Sequence, residues 1–413
     1  MNSEFGSVWI PGSVIIGAGP SGLAAAACLQ QEGVPFLILE KESCLASLWK
    51  LKTYDHLKLH LPKKFCELPY MPFPREFPTY PTKQQFISYL EDYSKHFSIK
   101  PMFGEEVRWA KYDATIGLWR VQANDSVFVS RWLIVATGEN AEPVLPEIAG
   151  LMEFGGKILH TSEYKNGADF KGSKVLVVGC GNSGMEVSLD LCNSGAQVSL
   201  VVRDKLHILP REIFGSSTFA LSMWLLEWFP VRLVDGLLLL CSWVILGDTC
   251  QIGIKRPEIG PLELKNTTGK TPVLDVGTIT KIKSGEIKVV RGIQRFTTRG
   301  AEFVDGKVEE FESVILATGY RSNVKSWLME GTFFNLEDDT FPNNWKGKNG
   351  GYSVASTRQG LLGASIDAKR VAEDIARQWN SETKHLNVSN FSHCISTLSH
   401  GEQKKNSQTF CLL

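Results

Sequence analysis

The sequence carries one layout twice, and that repetition limits the fold more than any other feature. The run "SVIIGAGPSGLAAAACLQQEGVPFLILEK", beginning at Ser13, and the run "SKVLVVGCGNSGMEVSLDLCNSGAQVSLVVRD", beginning at Ser173, share it. Each reads as an apolar strand, a G-x-G-x-x-G turn, an Ala/Leu-rich helix, a glycine turn and a second apolar strand. Each is followed further on by an apolar strand ending in Ala-Thr-Gly, at residues 136–138 and 317–319. Strands that alternate with helices in this way build parallel sheets wrapped by helices, so the expected class is α/β with two Rossmann-like dinucleotide-binding domains in one chain. A lone G-x-G-x-x-G carries little weight, but here a strand precedes each turn and a helix follows it.

In the first turn Gly17 makes the bend, Gly19 lets the backbone approach a pyrophosphate, and Gly22 permits close packing of helix on strand; Ala18, Pro20 and Ser21 complete the cradle. Gly179, Cys180, Gly181, Asn182, Ser183 and Gly184 repeat the pattern. The phosphates are expected on the helix N-terminus, where unpaired N–H groups and the helix dipole favour negative charge. Glu40 ends the strand after the first turn, where a carboxylate accepts hydrogen bonds from the ribose hydroxyls of an unphosphorylated adenosine, as in FAD or NAD. The matching strand ends at Arg203, with Asp204 beside it, and a guanidinium there suits the 2′-phosphate of NADPH. Thr137, Gly138, Thr318 and Gly319 close the strands that run back toward the two dinucleotides, and Trp49 either covers the FAD ribose or packs in the core.

Two nucleotide sites in one chain imply electron transfer between a flavin and a nicotinamide. Disulfide reduction would need a cysteine pair beside the flavin, and the nine cysteines include no C-x-x-C. Oxygen needs no protein redox group, which leaves monooxygenase or oxidase chemistry. With 44 Lys+Arg against 44 Asp+Glu there is no basic field for nucleic acid or anionic lipid, so no nucleic-acid partner is expected. The odd cysteine count and an N-terminus that reads as a first strand, without a targeting segment, point to a reducing, cytoplasmic compartment. Residues 221–246 are rich in Leu and Trp but are interrupted by Glu227, Arg232 and Asp235, so no membrane-spanning segment is expected. That segment reads as a pair of half-buried helices, with peripheral membrane contact as the alternative; the cytosolic face of the endoplasmic reticulum is then the candidate surface. His56 and His60 are not read as a metal site, because the alternation of Leu57, Leu59 and Leu61 indicates extended chain, in which residues four apart lie about 13 Å apart.

Between the two units, residues 154–164 match F-x-G-x-x-x-H-x-x-x-Y, with His160 as the histidine. The motif resembles the fingerprint of class B flavin monooxygenases. "HLPKKFCELPYMPFP", "PTYPTKQQFISYLE", "RWLIVATGENAE", "GCGNSGMEVSLDLCN" and "RQGLLGASIDAKRVAEDI" resemble the plant YUCCA-type members over nearly the whole of residues 14–379. That resemblance implies FAD and NADPH as cofactors and a C4a-peroxyflavin held while NADP stays bound. It implies oxidative decarboxylation of an aromatic 2-oxo acid, indole-3-pyruvate, to the auxin indole-3-acetic acid with O2. Where general flavin monooxygenases carry Y-x-x-L-x-T-N-x-S-K, the stretch from Tyr54 to Lys63 puts His60 in the Asn slot, as the YUCCA group does, and gives it a flavin-side catalytic role. His160 is a candidate proton shuttle or a joint between domains. The family's Y-A-V-G-F-T becomes residues 352–357, with Ala355 in the glycine's place. A broad N/S-oxygenating monooxygenase, an NADPH oxidase and a non-enzymatic flavoprotein-like scaffold remain as alternatives, although a scaffold has no use for the second glycine turn.

The expected division is an FAD domain in two parts, residues 1–165 and 273–380, around an NADPH domain at 166–272, with a flexible tail at 381–413. Antiparallel meanders are expected over 107–129 and 287–311.

Overall fold

The computed structural model describes residues 6–329, 344–355 and 359–398. The first unit opens with β1 (Ser7–Ile16), α1 (Pro20–Gln31) and β2 (Phe36–Glu40), then α2 (Lys83–His96), a short β3 (Met102–Phe103), and the strands β4 (Val107–Asp113), β5 (Leu118–Ala123) and β6 (Ser126–Val135). They form one sheet in the order β3–β2–β1–β6–β5–β4. β1 lies parallel to β2 and to β6, whereas β4, β5 and β6 form the expected antiparallel meander. α1 is apolar on every side, and residues from Ser21 to Leu29 are buried, as befits a helix covered on both faces. α2 starts at a capping box, in which the Thr82 hydroxyl accepts from the Gln85 N–H and the Gln85 side chain accepts from the Thr82 N–H.

The second unit holds β7 (Lys157–His160), β8 (Lys174–Val178), α3 (Asn182–Asn193), β9 (Gln197–Val201), the helices α4 (Thr218–Leu226) and α5 (Val231–Leu246), β10 (Ile287–Val290) and β11 (Ser313–Leu316). Its sheet is parallel throughout, in the order β10–β9–β8–β11–β7. The chain then returns to the first unit. β12 (Gly351–Ser353) pairs parallel with β6, and α6 (Gly360–Leu398) packs along α1. Small residues on both helices (Ala24 to Ala27 against Ala364, Ala368 and Ala372) share one core and allow the close approach. The Tyr352 hydroxyl donates to Asp374 of α6 at 2.6 Å, and Lys346 donates to the same carboxylate at 2.9 Å, which pins the returning strand.

This strand pairing moves the expected boundaries. β7, before residue 165, and both β10 and β11, after residue 273, belong to the second sheet. The reason is steric: a strand ending in Ala-Thr-Gly must lie beside the glycine turn of its own unit, so the second such strand cannot leave Gly179. The meander beyond β10 is correspondingly shorter than expected, with three antiparallel strands, Ile293–Thr297, Gly300–Phe303 and Val308–Glu310. α6 carries the chain through Leu398, past the point where a tail is expected, and residues 399–413 lie outside the described residues.

Ala355 has φ +83°, a left-handed conformation that costs an alanine about 1–2 kcal/mol. Glycine would relieve the strain but loses roughly 0.5–1 kcal/mol in chain entropy. Ala355→Gly is therefore expected to raise stability by about 0.5–1 kcal/mol net, read as a higher midpoint in thermal or urea unfolding.

Candidate active site

The two glycine turns are built alike. Gly17 and Gly179 have φ +105° and +112°, and a Cβ on either would press on the carbonyl oxygen of Ala136 (2.8 Å) or Ala317 (2.5 Å). At Gly22 and Gly184 an added Cβ would lie 1.9 Å from the carbonyl oxygen of Gly17 or Gly179, and its next side-chain neighbour is the Cβ of Ala136 or Ala317. Helix and strand touch here, so the first residue of each Ala-Thr-Gly has to be small. Gly19 and Gly181 are the reverse case: a Cβ there would meet nothing within 4 Å. Each is the N-cap of its helix without a side-chain cap, leaving open space in front of unpaired helix N–H groups. Ala18, Pro20 and Ser21 line or back the first cradle; Cys180, Asn182 and Ser183 stand equivalently at the second. Asn182 is committed elsewhere, its side-chain oxygen accepting from the Leu274 N–H at 2.9 Å. The Cys180 thiol is pushed up to about 12 by burial and is inert.

A cavity of about 570 Å³ starts at Gly17, Gly19 and Ser21 and runs past Glu40, Trp49 and Thr137 to His60. The Glu40 carboxylate is buried and accepts from the Ala18 N–H at 2.7 Å, the Glu42 N–H at 3.0 Å and the Ser47 hydroxyl at 3.2 Å, so its orientation is fixed at the end of β2. Trp49 lines the cavity and sets its ring edgewise on Phe86 of α2, 4.5 Å away. The Thr137 hydroxyl is buried, lines the cavity and has no hydrogen-bond partner in the protein, which marks it for a ligand. With the open Gly19 cradle, these groups fit a dinucleotide whose pyrophosphate rests on α1. His60 also lines this cavity. Its segment follows a turn at residues 55–56 and is anchored by a Lys58–Thr82 bridge, with Leu57 and Leu59 buried, and is held by Lys63, whose ammonium donates to the carbonyls of Pro74, Arg75 and Phe77. Cys66 lines the cavity; burial pushes its thiol up to about 12, and Cys28, Cys44, Cys66, Cys180, Cys192, Cys241 and Cys250 are all free.

His160 does not line the cavity. Its Nδ1 accepts from the Ser162 N–H at 3.2 Å and its Nε2–H donates to the Gly319 carbonyl at 3.1 Å. Burial lowers its pKa, so the ring is neutral and acts as a joint; Gly319 also accepts from the Val144 N–H at 3.0 Å. Gly138 lines the cavity, whereas the Thr318 hydroxyl is used in donating to the Val144 carbonyl at 2.6 Å. Arg203 stands exposed beyond β9, its guanidinium forked onto Asp204 at 2.9 and 3.2 Å.

Sequence reasoning missed Tyr54 and Glu186 as site residues. Glu186, on α3, accepts from the Tyr54 hydroxyl at 2.7 Å and meets His60 Nε2 at 2.9 Å. Asp190, one turn on, accepts from the Tyr164 hydroxyl at 2.5 Å and meets His56 Nδ1 at 3.2 Å. The two histidines thus go to different carboxylates. The available signal was a pair of acids four apart on a helix that opens a glycine turn, a pattern that otherwise reads as a solvated face.

Comparison with known proteins identifies the class first. The backbone resembles that of a flavin-containing monooxygenase from Stenotrophomonas maltophilia, with a TM-score of 0.67 at 20% identity over 90% of this chain and 99% of that one. It also resembles OTEMO in complex with FAD and NADP, with a TM-score of 0.69 at 16% identity over 90% and 86%. Residues 14–211 match the family model described as pyridine nucleotide-disulphide oxidoreductase. The fold is that of the two-dinucleotide flavin monooxygenases. The chain is 58% identical to indole-3-pyruvate monooxygenase YUCCA6 of Arabidopsis thaliana over 383 residues, covering 90% of this chain and 92% of that protein. It is 56% identical to indole-3-pyruvate monooxygenase YUCCA1 of Oryza sativa subsp. japonica over 393 residues, covering 93% and 97%. The chain belongs to the YUCCA family of indole-3-pyruvate monooxygenases.

The glycines separate fold from ligand binding. Gly184→Ala forces a methyl into a backbone carbonyl and is expected to cost about 3 kcal/mol or more. Gly181→Ala has free space and an ordinary φ of −84°, so it should unfold at the wild-type temperature while binding NADPH more weakly. Thermal melts with and without NADPH check both.

Proposed function

We propose that the protein is an FAD- and NADPH-dependent monooxygenase that converts indole-3-pyruvate to indole-3-acetic acid. The observation that carries this reading is one cavity lined by Gly17, Gly19 and Ser21 of the first cradle and by Thr161, Ser183 and Tyr320 of the second unit, with His60 on its wall and a lone cysteine, Cys66, among its described lining residues. The balance is one 2-oxo acid, one O2, one NADPH and one proton giving the shortened acid, CO2, NADP+ and water. When bound, FAD accepts hydride from NADPH and activates oxygen. The protein binds, orients and excludes water. The Gly19 and Gly181 cradles seat the two pyrophosphates, Glu40 takes the ribose of FAD, and Arg203 exchanges Asp204 for the 2′-phosphate of NADPH. Thr137 donates into the cavity. His60 keeps a proton on Nε2 against Glu186 and faces the reacting centre. His160 holds the linkers together through Gly319 and acts from a distance.

Purified enzyme with NADPH and O2 should release indole-3-acetic acid from indole-3-pyruvate and the corresponding acid from phenylpyruvate, and should leave a tertiary amine unoxidised. Peroxide as the sole product with both 2-oxo acids would favour an oxidase; N-oxide formation would favour a broad oxygenating enzyme.

We also propose that α4 and α5 touch a membrane surface. No helix among the described residues is long and apolar enough to cross a membrane. α5 buries only Val234, Asp235, Leu238, Ser242 and Leu246, while Leu233, Leu237, Leu240 and Val244, at helical spacing, are exposed with Trp243, as are Trp224, Trp228 and Phe229 just before α5. A Trp-rich apolar face of this size supports contact with the headgroup layer. The double variant Leu240→Glu, Trp243→Glu is expected to abolish co-sedimentation with phospholipid vesicles and to keep full turnover of soluble substrate; undiminished co-sedimentation would refute the contact.

A further inference from the structure

The residues that join the two dinucleotide units have not been used up by cofactor binding. α3 begins at Gly181, so its N-terminus faces the second dinucleotide and its body carries Glu186 and Asp190 on one face, four residues apart. Each carboxylate takes one phenol and one imidazole. Glu186 Oε2 accepts from the Tyr54 hydroxyl at 2.7 Å, and Oε1 lies 2.9 Å from His60 Nε2, a geometry in which a carboxylate pairs with the Nε2–H tautomer of the ring. Burial, and then the charge of Glu186, raises the pKa of Tyr54 well above its ordinary value, which keeps that phenol a donor. His60 Nδ1 has no hydrogen-bond partner among the described residues and is the ring nitrogen left for the cavity. Ser183, one turn before Glu186, also lines the cavity beside Tyr54 and His60. The Asp190 pair differs in place: His56 is 66% exposed and none of His56, Tyr164 and Asp190 lines the cavity.

We infer that Glu186 is a positioning residue that holds His60 in its Nε2–H form and ties it to the helix on which the NADP phosphates rest. Occupancy of the second dinucleotide site is thereby felt at the flavin end of the first. Asp190 supplies a similar clasp outside the cavity and serves domain docking alone. The inference rests on the assignment of FAD and NADPH to the two cradles.

The test compares Glu186→Gln with Asp190→Asn in purified FAD-loaded protein. Gln keeps the shape and an acceptor but removes the charge that orders Tyr54 and His60. Titration of the oxidised protein with NADP+ should perturb the flavin absorbance in the wild type and in Asp190→Asn. In Glu186→Gln that perturbation should shrink by more than half, and the ratio of peroxide to acid product should rise roughly tenfold, the scale of one charge-assisted hydrogen bond. A wild-type absorbance change in Glu186→Gln, or an equal loss in Asp190→Asn, would overturn the inference. If Glu186→Gln loses its flavin, His60→Gln replaces it, since the same absorbance change must shrink there and its persistence would overturn the inference. If the wild type makes no acid product, the functional reading falls, but the NADP+ titration still decides the role of Glu186.

Discussion

Everything in this molecule hangs on a contact with no side chain in it. At Gly22 and again at Gly184 the first turn of a helix lies on the backbone of the preceding bend, close enough that a methyl group would sit 1.9 Å from a carbonyl oxygen. The contact fixes the angle at which the helix leaves the sheet, aims its N-terminal amides outward, and leaves room beneath only for the alanine of a returning strand. The strand order of both sheets and the position of both cradles follow from satisfying that contact twice.

The second unit is coupled to the first by polar groups as well as by the apolar packing of Tyr54 and Leu57 against its core. The Gly319 carbonyl takes a hydrogen bond from each side of the linker, one from Val144 and one from His160, while Glu186 and Asp190 reach from α3 to the segment carrying His56 and His60. Each of these half-buried carboxylates is held by a phenol and an imidazole, and removing either partner leaves its charge less well satisfied. His160 therefore matters through geometry, and its burial as a neutral ring suits that role better than moving protons.

Much of the fold was legible because the glycine turns, the Ala-Thr-Gly strands and Glu40 are local signals with one steric or electrostatic reading each. The boundaries were not, because Ile287–Val290 is a short strand-like stretch with one lysine that suits the edge of either sheet, and only the three-dimensional position of β9 decides. His60 was legible as a departure from a motif. Its partner Glu186 was not, since an acid on the second turn of a helix looks solvated until the opposing segment, 126 residues earlier, is placed against it. Trp49 was left between two roles in sequence, and in the structure it both lines the cavity and packs against the core.

The short ladder between Tyr320–Arg321 and Glu142–Pro143 bears on how the two units share one chain. The segment that forms the second unit leaves the first and rejoins it at neighbouring points, so its two ends nearly meet. A body whose ends meet can be spliced into a surface connection of another without parting any strand of the host, and β6 and β12 do remain neighbours across the intervening chain. The doubled glycine turn is then one unit seated whole within a connection of another of the same layout, so the host sheet closes as if the inserted chain were a long loop.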